Sequence, residues 1–196
     1  MPLKTFVLAV MTAGVAAAAH AATLAVVNGE KITTADIVAA EGKTPTGDAL
    51  NQAVDRFIER KLLAARARAE GVDVPPALLA RGYELAHRAW GPNRLTDDAA
   101  FRRYLNEEIL IRKYMDQYIF PQLNPDEETL QRYFVDHAAK FLKKPPADRT
   151  ARLALFPPYQ YDVLYRYLRE EMARRLAEEV AVARASATIE KYTAGP

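Results

Sequence analysis

The sequence predicts a mainly α-helical domain closed by a small β-sheet. Three observations predict it: an Asn-Gly hairpin near the start, a succession of helical patterns with cap signals, and a β-favouring stretch near the end. The hairpin is VVNGEKIT, Val26 to Thr33. Asn-Gly accepts positive φ at both central positions of a two-residue turn. Two strands alone are marginal in water, so this hairpin needs a partner. Thr188, Ile189 and Tyr192 favour β structure, and chain ends often lie close together in compact domains. A strand near Ala187 to Lys191 is therefore expected to join the hairpin and clasp the termini.

The helices follow in order. TADIVAAEG has Thr33 or Thr34 as cap, with Asp36 at capping-box spacing from Thr33 and Gly42 as stop. DALNQAVDRFIERKLLAARARAEG places Val54, Phe57, Ile58, Leu62 and Ala65 on one face, and Gly71 sits where a C′ glycine belongs. A third helix starts at Pro75 or Pro76, where a missing N–H costs nothing, and GPN at 91–93 ends it. Thr96 caps a long fourth helix with Phe101, Tyr104, Leu105, Ile109, Met115 and Ile119 as its buried stripe, and Pro121 stops it. Asn124, Pro125 and Glu127 read as cap, first-turn proline and capping-box acid of the fifth helix. KKPPADRT reads as a loop and ARLALF as a short strand. The last helix runs from about Tyr159 to Ala185. Its apolar residues Leu164, Leu168, Met172, Leu176 and Val180 step by four, so the stripe drifts around the cylinder and the helix is expected to cross several others.

Composition bounds the rest. The chain has 196 residues, no cysteine and a formal net charge of +2. The absence of cysteine removes disulfides, thiolate metal sites and a lipoprotein anchor. Charges of both signs are interspersed with no dense basic tract, so nucleic acid is not expected as a partner. Residues 1–21 read as a cleavable signal peptide: Lys4, an apolar run from Phe6 to Ala19, and Ala19-His20-Ala21 at the cut. Residues 22–196 then form one exported domain without a stable membrane anchor. The final TAGP is a loose end.

No catalytic pattern stands out. His87 and His137 lie on separate helices without ligand spacing. Ser186 is the only serine and lacks a GxSxG setting. Walker and GxGxxG loops are absent. The paired acids Glu107-Glu108, Glu127-Glu128, Glu170-Glu171 and Glu178-Glu179 sit beside Arg or Lys. Glu108 with Arg112, Glu170 with Arg174 and Glu171 with Arg175 have the spacing of helix-surface pairs. The sequence therefore gives no reason to expect an enzyme, a metal or a cofactor. The conspicuous excess is ten tyrosines. Most suit an ordinary core and its edge. The sharper reading is a groove for extended or unfolded chains, lined by Tyr83, Trp90, Tyr104, Tyr114, Met115, Tyr118, Tyr161, Tyr165 and Met172.

A leader, VVNGEKIT and the helix segment FIERKLLAARARAEGVDV together resemble the N-terminal region of SurA-type periplasmic chaperones and related parvulin-containing foldases. The I-x-x-K/R-L-L core falls on Ile58, Lys61, Leu62 and Leu63, and A-x-x-x-G-V on Ala67, Gly71 and Val72. LNPDEETLQRYFVDHAAKF resembles the family's next helix, with Tyr133, Phe134 and Phe141 in place, and REEMARRLAEEVAVARASATIEKY its closing helix and terminal strand. The family's parvulin domain stands between those two; here the interval is only residues 143–158, a short linker too small for a domain, with ADRTARLALF resembling a remnant first strand. The resemblance implies a helical chaperone body with packed termini and no prolyl isomerase activity. It also implies a periplasmic location and ATP-independent binding there of unfolded or partly folded exported polypeptides, with outer-membrane proteins as one candidate class. The alternative is a dedicated assembly or scaffold factor for one folded partner. Oligomeric state is left open.

Overall fold

The computed structural model describes residues 21–90 and 98–192. The leader up to His20, the GPN break, the Thr96 cap and TAGP lie outside them. The described chain is mainly helical with one three-stranded antiparallel sheet. Its elements are β1 (Thr23–Val27), β2 (Glu30–Thr33), α1 (Thr34–Glu41), α2 (Gly47–Ala69), α3 (Pro76–Trp90), α4 (Asp98–Tyr114), α5 (Glu127–Asp136), α6 (Arg149–Leu153), α7 (Gln160–Ser186) and β3 (Ile189–Lys191).

The sheet order is β2-β1-β3, so the first strand is central and the chain's two ends are joined through it. Asn28 and Gly29 turn at φ 49° and 83°, as a tight hairpin between right-twisted strands requires. Val27 faces Glu30 across the hairpin and Ile189 across the clasp. Asn28 also grips the far end of the chain. Its N–H donates to the Thr188 carbonyl and its Oδ1 accepts from the Thr188 N–H, both at 2.9 Å. One residue thus makes the turn and holds the terminal strand.

Thr33 and Asp36 form the expected capping box on α1, and Gly42 closes that helix in the left-handed conformation. α2 buries Val54, Phe57, Ile58 and Leu62, but Ala64 and Ala67 complete the face rather than Ala65. Three apolar clusters result. The first joins the sheet, α1 and the front of α2 through Leu24, Ile32, Ile37, Phe57 and Ile58. The second joins the back of α2 to the end of α4 through Ala64, Leu110, Tyr114 and Ile119. The third lies around Phe134 of α5, with Phe156 and Val163. α7 reaches all three: Leu164 and Tyr167 touch the third, Leu176 the second, Val180 and Ala183 the first. At about 1.5 Å per residue this helix is roughly 40 Å long. The expected multiple crossing is what the stepping of its apolar residues produces.

Four expectations need correction. The buried stripe of α4 is Phe101, Leu110 and Tyr114, with Glu107 among them, while Tyr104, Leu105, Ile109 and Met115 are only partly covered. A π-helical turn over Met115–Ile119 follows α4. Its wider turn brings residues five apart onto one side, so Ile119 shares the core with Tyr114 instead of Met115. α5 is capped two residues later than expected: the Asp126 carboxylate accepts from the Thr129 N–H at 2.8 Å. ARLALF is not a strand. The Asp148 carboxylate caps α6 by accepting from the Ala151 N–H at 2.7 Å, and Arg152 donates to the carbonyls of Val135, Pro146 and Ala147. Those bonds fold the 143–158 segment against α5, with Phe156 buried in the third cluster. Lastly, Glu107 is not a solvated partner of its own helix. It is 5% exposed and takes Lys61 and Arg60 from α2, and Arg60 also bonds Glu108 at 2.7 Å and the Tyr104 carbonyl. Lys61 continues to Glu30 of the hairpin at 2.9 Å.

Two measurements test this frame. Asn28→Gly keeps the positive φ and loses the Oδ1 bond, whereas Asn28→Ala loses both. The alanine variant is expected to lower unfolding free energy by about 1–3 kcal/mol, with the glycine variant between it and wild type; equal losses in urea melts would show that the clasp bond alone matters. The second concerns pH. Partial burial pushes the Glu30 carboxyl up, but the hydrogen bond from Lys61 and the charges of Lys61 and Arg68 outweigh it and hold it below its ordinary 4.5. Burial likewise lowers Lys61, but Glu107 and Glu30 outweigh it and hold the ammonium above its ordinary 10.5. The Glu30 contribution is present above the ordinary carboxylate range and lost as pH falls through the lower folded value. That of Lys61 is present below its ordinary value and lost as pH rises through the higher one. Urea midpoints against pH should therefore fall at both extremes. Glu30→Gln should make the acid limb shallower and also soften the alkaline limb, which Glu107 keeps in part because it still holds the Lys61 ammonium.

Candidate functional site

α7 carries the candidate site because it is long, shared by three clusters, and covered on few of its sides. Val163 is its only fully buried residue. Several clefts open along it, and in two of them α7 itself presents exposed aromatic or apolar side chains.

The first lies at its N-terminal end. Its lining is Lys140, Phe141, Tyr159, Asp162, Tyr165, Arg166 and Arg169, around about 250 Å³. The floor is rigid. Phe134, fully buried, packs on Phe141 with ring centroids 5.4 Å apart and on Tyr159 at 5.7 Å. Arg166 places its guanidinium carbon 5.6 Å from the Phe141 ring centre, within reach of a cation–π contact. Behind the cleft stands a polar bracket. The Tyr133 hydroxyl donates to Glu170 at 2.7 Å, and Lys140 donates to both oxygens of the same carboxylate at 2.9 and 3.0 Å. The His137 ring stacks on Tyr133 at 4.3 Å. Glu170 thus pairs across elements with Lys140, not along the helix with Arg174, whereas Glu171 does pair with Arg175 as its spacing predicts. The Lys140 and Tyr133 hydrogen bonds outweigh the desolvation of Glu170 and hold its carboxyl below the ordinary range.

The second cleft lies farther along α7, against α2. Glu59, Leu63, Ala173, Leu176, Ala177 and Val180 line about 360 Å³ of mostly apolar space. The small side chains Ala173 and Ala177 open it; Leu63 and Leu176 form its walls.

The sequence-predicted aromatic residues do not gather into one groove. Tyr83 packs on Phe101 at 6.0 Å, beneath the Arg102 guanidinium, and its hydroxyl donates to Asp98. Tyr104 lies between Phe57 and Phe101, with Arg60 over its ring at 4.1 Å. Tyr114 is 2% exposed and belongs to the core; beside it Tyr118 stacks at 5.4 Å and donates to the Glu70 carbonyl. Met115 and Met172 are partly covered. The Trp90 side chain lies outside the described residues. Of the predicted set only Tyr161 and Tyr165 stand well out into solvent, at 84% and 71% exposure, and Tyr165 lines the first cleft. Sequence reasoning missed Phe141, Tyr159, Arg166 and Arg169 as site residues, and also Leu63, Leu176 and Val180. A pattern of Tyr, Trp and Met alone does not contain the arginines. The i,i+4,i+8 series Tyr161, Tyr165, Arg169 was the available signal.

Among the described residues no group of three or more His, Cys, Asp or Glu could hold a metal ion, and no helix is long and apolar enough to cross a membrane. No protein-family model matches the chain, and no curated protein matches it significantly.

The bracket behind the first cleft has a spectroscopic signature. Desolvation, and then the hydrogen bond to Glu170, push the Tyr133 phenol from 10.0 up to about 12. A folded protein that keeps this proton while the unfolded chain releases it loses stability as pH rises from the ordinary value through the folded one. Absorbance titration of Tyr133→Phe against wild type should remove one tyrosine that ionises at about 12. Glu170→Gln should bring that tyrosine only part of the way back, because burial persists. Complete reversion would mean that the carboxylate, not burial, is the main cause.

Proposed function

We propose that the protein is an ATP-independent periplasmic holdase that binds unfolded or extended segments of exported proteins, without prolyl isomerase activity. The observation that carries the reading is the open apolar cleft on α7, formed by Leu63, Ala173, Leu176, Ala177 and Val180. A concave apolar surface left uncovered on a well-packed domain marks a place for a partner. A helix that exposes small side chains between larger ones accepts varied chains, because the cleft imposes little shape of its own. The sequence resemblance to the SurA-type chaperone body supports the same reading. So does the clasped sheet, which makes a single frame from the two chain ends in the way that resemblance implies. The short 143–158 connection, held by Arg152, leaves no room there for an isomerase domain.

The second reading is a dedicated assembly factor for one folded partner. The aromatic and arginine residues of the first cleft favour it, since compact Arg and Tyr clusters are typical of interface hot spots.

Aggregation of a urea-diluted outer-membrane β-barrel protein, followed by light scattering without ATP, tests the choice. Dose-dependent suppression at near-stoichiometric ratios is expected, with no binding to a folded control protein. Ala173→Glu places a charge at an exposed position in the apolar cleft and should weaken suppression several-fold while changing stability by no more than about 0.5 kcal/mol. A folded sample that suppresses no client at all would sink the holdase and favour the dedicated factor.

A further inference from the structure

The clefts of this protein differ in one respect that composition does not show. Around the cleft at Tyr118, Arg66 pairs with Glu70 and Glu179, and Arg175 pairs with Glu171. Around the cleft at Leu153, Arg132 pairs with Glu128 and Arg149 with Asp136. In the aromatic cleft, Arg166 and Arg169 have no carboxylate within ion-pair distance among the described residues, while Lys140 is occupied by Glu170. Two guanidinium groups without a close carboxylate partner therefore face a cleft whose walls are Phe141, Tyr159 and the exposed Tyr165, with Asp162 as the carboxylate on its lining.

We propose that this cleft binds a short acidic, aromatic stretch of polypeptide, with an aromatic side chain on Phe141 and Tyr165 and a carboxylate on Arg166 and Arg169. The proposal rests on the polypeptide-binding reading and names the kind of segment selected. The chemistry divides between the two halves of the site. A guanidinium matches a carboxylate through two parallel N–H donors, which a bare ammonium cannot do. The ring faces supply an offset or edge contact for an incoming aromatic. Because Phe134 already fixes Phe141 and Tyr159, little side-chain freedom is lost on binding. The volume, about 250 Å³, is below the roughly 300 Å³ lower end of small-molecule pockets. It fits one or two side chains of a passing chain rather than a bulky cofactor. Asp162 lines the same cleft and, with Lys140 already paired to Glu170, leaves a single net positive charge there, enough for one carboxylate and too little for a run of phosphates, which favours polypeptide over nucleic acid. The apolar cleft farther along α7 has a different chemistry, with Glu59 as its charged lining residue. Acidic aromatic segments and purely apolar ones are thereby sent to different stretches of one helix.

Fluorescence anisotropy with the full chain and labelled unstructured dodecapeptides tests this. The probe peptide carries Tyr-Glu and Phe-Asp pairs. One control replaces its aromatics by Ala, a second its acids by Gln, and a third probe is an oligothymidine of equal charge. The probe peptide is expected to bind about tenfold more tightly than either peptide control, and to weaken as salt rises. R166Q/R169Q should abolish that preference. Tyr165→Ala, at a site too exposed to disturb folding, should weaken the probe peptide several-fold and leave the Ala control peptide unchanged. Equal affinity for all peptides, or a preference that survives R166Q/R169Q, overturns the proposal, as does tighter binding of the oligothymidine. Suppression of aggregation of a neutral unfolded client, measured on the same samples, separates the two levels. Suppression without arginine-dependent peptide choice removes the cleft and keeps the holdase; arginine-dependent choice without suppression keeps the cleft and removes the holdase.

Discussion

A carboxylate closed off from water at Glu107 fixes how three parts of the chain meet. Removing an ion from water costs several kcal/mol even after relaxation, and only close partners offset it. Here both partners are neighbours on one helix, Arg60 and Lys61 of α2. Arg60 divides its donors between Glu107, Glu108 and the Tyr104 carbonyl, and so grips two successive turns of α4. Lys61 reaches the other way to Glu30 at the tip of the hairpin. The pairing leaves no buried side-chain polar atom without a partner among the described residues. Apolar packing alone would let α4 slide or rotate on α2 at little cost. A buried charge with two fixed cations does not, because any other register strands at least one of them.

The sequence made the local signals plain and the shared ones obscure. The Asn28-Gly29 turn, the Thr33–Asp36 capping box and the glycines at 42 and 71 depend on a few adjacent residues, and each acts as its chemistry requires. The pairing of the two terminal segments was readable because a hairpin has to be covered, Thr188, Ile189 and Tyr192 favour a strand, and chain ends often lie close together in a compact domain. Glu107 was not readable. Its helix neighbours offered an ordinary surface explanation, and its true partners lie 46 and 47 residues away. The π-helical turn escaped for a similar reason: a period of 3.6 was assumed through Met115, and only packing against Tyr114 and Ile119 reveals the extra residue. ARLALF looked like a strand because a short apolar run fits a strand or a helical segment equally. Asp148 and Arg152 decide it, one by capping and one by collecting three carbonyls.

The candidate site was half legible. Tyr161 and Tyr165 stand out because a helix exposing two large aromatics one turn apart is unusual for an inert surface. Tyr83, Tyr104 and Tyr114 carry the same residue type for a different purpose: each covers an aromatic or arginine partner between α2, α3 and α4. Residue identity could not separate these classes, since both need an apolar ring with one wet edge. What separates them is which side of each helix is taken up, and that is a property of the assembled domain.

The two clefts follow from how α7 is wound. Apolar residues every four positions advance about 40° per step on a helix of 3.6 residues per turn, so Leu164 and Val180 face directions about 160° apart. The helix therefore turns one side to Phe134 and its neighbours at the start and nearly the opposite side to the sheet at the end. A stripe held on one side would have buried α7 uniformly and left a single polar back. The drift instead uncovers a different side at each end. At the start the uncovered side carries Tyr165, Arg166 and Arg169; toward the end it carries Ala173, Leu176 and Ala177. One geometrical fact about four-residue spacing thus ties three core clusters together and leaves two chemically distinct clefts on the same rod. The proposed holdase would gain from that arrangement, because neighbouring segments of an unfolded chain seldom share one chemistry.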